Sequence, residues 1–150
     1  CAQAGVGLVD YTVTGLRLSG AAEYACHLWL VELAGAAPMD AAAFAASLDR
    51  TLIAGHYDYA KARAGGSQSG AGFGLAEPLL IFLPPGSFRR WLESRLGGRL
   101  GGQSKIPRLG HDPAAARAVL ASLAPAEQRA ALAHLSPARR AAVEGLLSEF

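Results

Sequence analysis

Two apolar segments near the start of the chain have the pattern of β-strands. Between Val6 and Leu18, β-branched and aromatic residues dominate, with the apolar ones at odd positions. Tyr24 to Leu33 is apolar at both odd and even positions, which is typical of a strand in the middle of a helix-covered sheet. Only residues 19–23 separate the two segments, so we predict an antiparallel hairpin.

A helix is predicted after the hairpin, with Asp40 as its N-cap. Large apolar residues recur at every fourth position and form one stripe: Phe44, Leu48 and Leu52. The helix end carries His56-Tyr57-Asp58-Tyr59, where a His or Tyr either contacts a ligand or only buries its ring. The glycine-rich stretch 65–74 is predicted to be a loop. It leads from a helix into a strand, the reverse of a phosphate-binding loop, so we interpret it as a linker.

A third strand and a second helix follow. Leu79 to Leu83 is a short apolar run ended by Pro84-Pro85-Gly86, and Ser87 is the expected helix cap. One face of this helix carries the large apolar residues Phe88, Trp91, Leu92 and Leu96. The order β-β-α-β-α predicts an α+β fold in which a small mixed or antiparallel sheet has both helices on the same face. We expect six helix residues in the core: Phe44, Leu48, Leu52, Phe88, Trp91 and Leu92.

The last forty residues differ from the rest in composition. They are rich in Ala and Leu, and their capping residues and prolines predict three short helices, beginning near Asp112-Pro113, Pro125 and Ser136-Pro137. We therefore expect an α/β domain over residues 1–111 and a helical extension over residues 112–150.

Composition excludes several classes of protein. A chain of 150 residues that is 51% hydrophobic and 17% charged can bury enough apolar surface to fold. Its net charge of +2 gives no field suited to nucleic acid, and the arginines at 89, 90, 95 and 99 are interpreted as a solvated face. The longest apolar stretch, Leu28 to Ala37, contains Glu32 and is shorter than the roughly 20 residues of a membrane helix, so no membrane partner is expected.

Cysteines and histidines indicate no disulfide framework and no metal site. Cys1 and Cys26 are expected to be free thiols in a reducing, cytoplasmic setting. The four histidines lack the spacing of zinc ligands: His27, His56, His111 and His134. A start at Cys1 favours a piece of a longer polypeptide. The alternatives are a lipoprotein and an N-terminal cysteine nucleophile, and the nucleophile requires Cys1 to lie in a buried, electropositive pocket.

Lys105 is the sharpest candidate for chemistry, because no nucleophile-base arrangement can be assembled from the sequence. It lies in the glycine-rich, basic segment 97–110, where a backbone can approach a ligand closely. An ammonium group on a long stem suits a phosphate or carboxylate oxygen. The alternative is a solvated loop lysine.

Five motifs follow one another along the chain: residues 9–13, Glu32-Leu33, residues 56–63, residues 84–88 and residues 102–108. In this order they resemble the C-terminal domain of the Gretchen Hagen (auxin-responsive promoter) family of acyl-acid amido synthetases, which has bacterial and plant members. The resemblance runs from about Val6 to Leu109 and fits a bacterial-type member.

The resemblance implies membership of the adenylate-forming superfamily, in which ATP activates an acyl acid and an amino acid then displaces AMP. A large N-terminal domain would bind most of the ATP, Mg and acid, and this chain would be its mobile lid, inactive and without a cofactor when isolated. The family's Lys-x-Pro-Arg segment implies that Lys105 is the catalytic residue that reaches the phosphates. The expected nucleotide-binding residues are Lys105 and Arg108 of this segment and Tyr59 of the motif at residues 56–63. The alternative is a stand-alone interaction module that docks a partner through its helical tail.

Overall fold

The computed structural model describes residues 7–18, 24–35, 40–68, 74–97, 105–110 and 112–148. It has ten helices and strands in these ranges, in an α+β arrangement that confirms the predicted fold class. No helix within the described ranges is long and apolar enough to cross a bilayer. Cys1 and His111 lie outside the described residues. So do residues 69–73 and 98–104, which make up much of the two glycine-rich stretches.

The sheet has four strands in the order β3-β2-β1-β4. β1 (Leu8–Leu18) and β2 (Tyr24–Leu33) form the predicted antiparallel hairpin, and β3 (Leu79–Leu83) joins β2 in parallel. β4 (Leu109–Gly110) was not predicted; it pairs in parallel with β1 at Val13 and Thr14. The sheet is therefore mixed.

One face of the sheet is covered by the first helical pair, α1 (Ala41–Gly55) and α2 (Tyr57–Gln68). Asp40 caps α1 as predicted, since its carboxylate accepts a hydrogen bond from the amide of Ala43 (2.8 Å). Phe44 meets Phe82 edge to face, with ring centroids 5.5 Å apart. Two residues of the predicted apolar stripe of α1, Phe44 and Leu48, pack there and remain partly exposed. Leu52 is also partly exposed but does not belong to this cluster.

The prediction that both early helices share a face is wrong. α3 (Ser87–Arg95) buries Phe88 and Trp91 against Leu28 and Leu30, whereas α1 packs against Val31. Successive strand residues point to opposite faces, so the two helices lie on opposite sides of the sheet. The physical reason is that β2 and β3 are apolar on both faces, and each face needs a cover.

The helical tail completes the layer on the α3 side. α4 (Ala114–Ala121), α5 (Pro125–Leu132) and α6 (Pro137–Ser148) confirm the three predicted helices. Buried residues of these helices and of the turns between them belong to the same cluster as Leu28, Leu30 and Ile81 of the sheet: Ala116, Val119, Leu120, Leu123, Ala131, Leu132, Leu135, Val143 and Leu146. The apolar faces of these helices are thus part of the main core.

Candidate functional site

The segment from Lys105 to Gly110 lies along the outer edge of β1. The amide of Val13 donates to the carbonyl of Arg108 (3.0 Å), and the hydroxyl of Thr12 donates to the carbonyl of Pro107 (2.6 Å). Pro107 lacks an amide hydrogen, and a sheet edge is where a strand tolerates such a residue. Main-chain contacts therefore fix the path of this segment.

Side chains fix the segment as well. The Arg108 guanidinium lies 3.3 Å from the Asp10 carboxylate and stands over the Tyr11 ring, 4.9 Å from its centroid. Tyr11 in turn stacks on Trp29, with centroids 5.8 Å apart. A guanidinium on an aromatic face gains a cation-π attraction in addition to its ion pair. Arg108 is thus held in place but remains largely exposed.

Lys105 differs from its neighbours in the segment. Ile106 is buried in the main core at 8% exposure, one residue away. Lys105 itself is exposed, and no hydrogen bond or ion pair links its ammonium to any part of the chain that the structure describes. The result is a cation on a flexible stem whose base is anchored by Ile106, Pro107 and Arg108.

Tyr59 is not brought to Lys105 and Arg108. Its ring lies beside that of His27, at 5.7 Å between centroids, and His27 is opposite Gly15 towards the end of β1. β4 runs parallel to β1 with Leu109 opposite Val13, so Lys105, four residues earlier, lies towards the start of β1. Two of the three predicted nucleotide-binding residues therefore share a place, and the third lies elsewhere.

Tyr59 belongs instead to a polar cluster between α1 and α2. Its hydroxyl donates to Asp49 (2.7 Å), and Arg63 donates to both oxygens of the same carboxylate (3.0 and 2.8 Å) and to the carbonyl of Leu75 (2.8 Å). Burial raises the pKa of Asp49, but hydrogen bonds from Arg63 and Tyr59 and the Arg63 charge outweigh it, so the pKa lies below its usual value. Burial, the hydrogen bond to Asp49 and its charge raise the pKa of Tyr59.

Residues 56–59 were predicted to end one helix, but they join two: α1 ends at Gly55 and α2 begins at Tyr57. His56 has an extended backbone, with φ −136° and ψ 105°, and separates α1 from α2. Gly55 directly before it is the last residue of α1, and a glycine weakens a helix, so it is the sequence signal for this break. α2 continues through Gly65 to Gln68, so the first residues of the predicted loop are helical.

Glu32 is an important polar residue that the sequence analysis did not single out as a helix cap. It is only 4% exposed, and its carboxylate accepts hydrogen bonds from the amides of Gly86 (2.6 Å) and Phe88 (3.0 Å) at the start of α3. Ser87, the predicted cap, is the first helical residue and donates to the carbonyl of Pro84 instead (2.6 Å). The sequence does contain a signal for this role: Glu32 is the one carboxylate in an otherwise apolar strand, and a buried charge needs hydrogen-bond partners.

The described residues offer no metal-binding cluster: within them, no three His, Cys, Asp or Glu side chains lie together as ligands. Asp10, the carboxylate beside the Lys105 segment, is already paired with Arg108. The segment presents two cations, Lys105 and Arg108, and suits an anionic partner.

Comparison with known proteins identifies the class of this domain. The fold matches the solved structure of GH3.15 acyl acid amido synthetase with a TM-score of 0.55 and 16% identity, over 77% of this chain and 20% of that one. It also matches AtGH3.15 acyl acid amido synthetase in complex with 2,4-DB, with a TM-score of 0.56 and 15% identity, over 82% of this chain and 21% of that one. The chain thus spans about a fifth of each of these enzymes. No curated protein matches it in sequence.

The family itself follows from the sequence. Residues 1–114 match the GH3 family C-terminal domain, which is the Gretchen Hagen family of the resemblance. The chain belongs to this family. The match ends where α4 begins, so most of the helical tail lies beyond it.

Proposed function

We propose that this chain is the mobile C-terminal lid of an ATP-dependent acyl-acid amido synthetase and is inactive alone. In the first half-reaction, an acyl carboxylate attacks the α-phosphorus of ATP and releases pyrophosphate. In the second, the amine of an amino acid attacks the acyl carbon and releases AMP. Family membership and the likeness to two amido synthetases support this proposal.

The observation that carries the proposal is the contrast between Lys105 and the residues after it. Ile106 is buried, and Pro107 and Arg108 are bonded to β1, while the ammonium of Lys105 extends from this fixed base without a partner in the described chain. An anchored stem delivers a charge to a defined place at little entropic cost. Lys105 is therefore suited to contact a phosphate oxygen that another domain holds.

The partner in this proposal is the large N-terminal domain of the same polypeptide, which would bind most of the ATP, the Mg ion and the acyl acid. The described residues contribute two exposed cations, Lys105 and Arg108, to that division. Closure of the lid would exclude water from the acyl-adenylate and bring Lys105 to the phosphates. Arg108 would add a second positive charge nearby. A cytoplasmic setting, where ATP is available, accords with this role.

The alternative role, docking of a partner through the tail, has less support. The apolar residues of α4, α5 and α6 pack against the sheet, so these faces are not available to a partner. The tail instead stabilises the domain that presents Lys105.

The test is acid-dependent pyrophosphate exchange by the enzyme that carries this domain. Lys105→Ala removes one phosphate-directed donor and is expected to slow exchange about a hundredfold to a thousandfold. Lys105→Arg restores only part of the rate, because a planar guanidinium does not reproduce the geometry of a compact ammonium. Lys61→Ala is the matched control, since Lys61 is the other lysine of the chain and is exposed on α2.

Neither lysine contributes to packing, so both alanine variants should unfold at the denaturant concentration of the wild type. Exchange at the wild-type rate in Lys105→Ala contradicts the proposed role. An equal loss in Lys61→Ala contradicts it too, because a general effect of charge would then explain both results.

A further inference from the structure

A β-bulge precedes Asp10 on the outer strand of the hairpin. The register of β1 against β2 shifts between Leu8 and Asp10, which leaves Val9 as an additional residue of β1. A bulge of this kind bends its strand and re-aims the side chains beside it. The Asp10 carboxylate meets Arg108 of the neighbouring segment, where its Oδ1 lies 3.3 Å from the guanidinium Nη2.

The carboxylate of Asp10 is itself held in position. Its Oδ1 accepts a hydrogen bond from the amide of Tyr11 (2.9 Å), and the Asp10 side chain is only 23% exposed. The ring of Tyr11 stacks on Trp29 and lies under the guanidinium of Arg108. Two consecutive residues of β1 therefore orient Arg108, Asp10 through its charge and Tyr11 through its ring.

The ion pair between Asp10 and Arg108 contributes more to orientation than to stability. The Arg108 side chain is 58% exposed, and an ion pair with so exposed a partner adds little to the free energy of unfolding. The pair still restricts the rotamers of a long side chain, which would otherwise lose that freedom when a ligand binds. Arg108 therefore meets a ligand at a lower entropic cost than an unrestrained surface arginine.

Arg108 keeps hydrogen-bond donors for a ligand while Asp10 holds it. A guanidinium has five N–H groups in one plane, and Asp10 contacts a single nitrogen of it, Nη2. Within the described part of the chain, no other carboxylate pairs with Arg108. The remaining N–H groups suit a phosphate group, whose oxygens match the planar fork of a guanidinium.

We propose that Asp10 is a positioning residue for Arg108 in the adenylation half-reaction. Asp10 and the ring of Tyr11 fix the guanidinium so that its free N–H groups face a phosphate oxygen of ATP. Asp10 touches neither the substrate nor the reacting atoms and acts through Arg108. This inference rests on the proposed ligase function and adds to it a residue that lies outside the Lys-x-Pro-Arg segment.

The test is pyrophosphate exchange by the enzyme that carries this domain, with the concentration of ATP varied. Arg108→Gln should lower kcat about a hundredfold, because it removes a charged donor from the phosphate. Asp10→Asn keeps an oxygen for the Tyr11 amide but loses the negative charge, so it should lower kcat about tenfold. The KM for ATP should change less than about twofold in Asp10→Asn, since the affected contact is made in the transition state.

A double variant shows whether Asp10 acts through Arg108. If it does, adding Asp10→Asn to Arg108→Gln should cause no further loss of kcat. Asp10→Glu keeps the charge and should restore part of the rate. Glu93→Gln is the matched control, because Glu93 also forms an exposed ion pair with an arginine, Arg89, and should leave kcat unchanged. The urea midpoint should stay that of wild type in every variant, and Asp10→Ala takes the place of Asp10→Asn if the latter does not fold.

An Asp10→Asn enzyme with the kcat of wild type overturns the proposal, as does a double variant in which the two losses of kcat multiply. Faster exchange in Asp10→Asn overturns it too, because Asp10 would then compete with the phosphate for Arg108. Lys105→Ala separates this failure from a failure of the ligase function. If Lys105→Ala slows exchange and Asp10→Asn does not, only the role of Asp10 is wrong, whereas normal exchange in both variants contradicts the proposed function as well.

Discussion

Glu32 on β2 closes the first turn of α3, with its Oε1 2.6 Å from the amide nitrogen of Gly86. Its second carboxylate oxygen accepts from the amide of Phe88 at 3.0 Å. The first amides of a helix have no partner within the helix and carry partial positive charge. Gly86 has a φ of 79°, a left-handed conformation that glycine adopts without strain, which turns its amide towards Glu32. A strand residue thus determines where α3 begins.

Glu32→Ala should therefore lower the free energy of unfolding by about 2 kcal/mol or more. It removes a cap and leaves two amides without an acceptor, that of Phe88 in a buried place and that of Gly86 in a partly buried one. Urea denaturation measures the loss. Glu93→Ala is the comparison, because Glu93 makes only an exposed ion pair with Arg89 and should lose less than about 0.5 kcal/mol. Similar losses of unfolding free energy in the two variants would show that the Glu32 cap stabilises the chain no more than an exposed ion pair does.

Asp49→Asn should destabilise the chain by about 2 to 3 kcal/mol at pH 7, because Arg63 loses a bidentate carboxylate while it remains partly buried. The pKa of Asp49 is lowered in the folded state. An acid whose pKa is lowered by folding stabilises the folded state at every pH above its unfolded-state pKa, which is about 3.9. This stabilisation is lost as the pH falls through the folded-state pKa.

The difference in the free energy of unfolding between wild type and Asp49→Asn should therefore be largest at pH 7 and should shrink below about pH 4. Unfolding in urea at a series of pH values measures it. Asp58→Asn, which changes an exposed carboxylate on α2, should show neither the loss nor its pH dependence. A difference that stays constant down to pH 2 would mean that the Asp49 charge is not what stabilises the pair.

Cys26 should resist alkylation in the folded chain. It is fully buried, and burial raises the pKa of its thiol to about 11, against a smaller opposing effect of the Arg139 charge. Only the thiolate reacts, so at pH 8 iodoacetamide should label Cys26 at least about a hundredfold more slowly in the folded than in the unfolded state. Mass spectrometry of a Cys1→Ser chain measures the rate at this one thiol. Equal rates before and after unfolding in urea would contradict its burial.

Local patterns predicted most of the secondary structure. The hairpin, β3, the Asp40 cap and the three tail helices each depend on residues that are close in sequence, and all were confirmed. Trp91 also lies in the core, as its helical spacing predicts, at 5% exposure. Periodicity and capping residues are sufficient for such features because they act within one element.

What the sequence did not reveal depends on contacts between distant residues. β4 is only two residues long and exists because Val13 and Thr14 provide its partners. Glu32 finds its amides 54 and 56 residues away, and Arg63 reaches Asp49 across two helices. Tyr59 lies beside His27 and Arg108 beside Tyr11, because the order of motifs along the chain does not specify which end of the sheet each motif occupies. The nucleotide-binding role of Tyr59 stays a prediction.

β3 lies at the border of the sheet, yet all five of its residues are buried. The tail covers its outer side: the Nε2 of His134, just after α5, lies 2.8 Å from the carbonyl oxygen of Leu80. A carbonyl oxygen can only accept, so this nitrogen carries the proton. An uncovered border strand of sequence Leu-Leu-Ile-Phe-Leu would recruit strands from other molecules. The tail therefore protects the domain against aggregation, and the end of the family match at residue 114 is a poor place to truncate it.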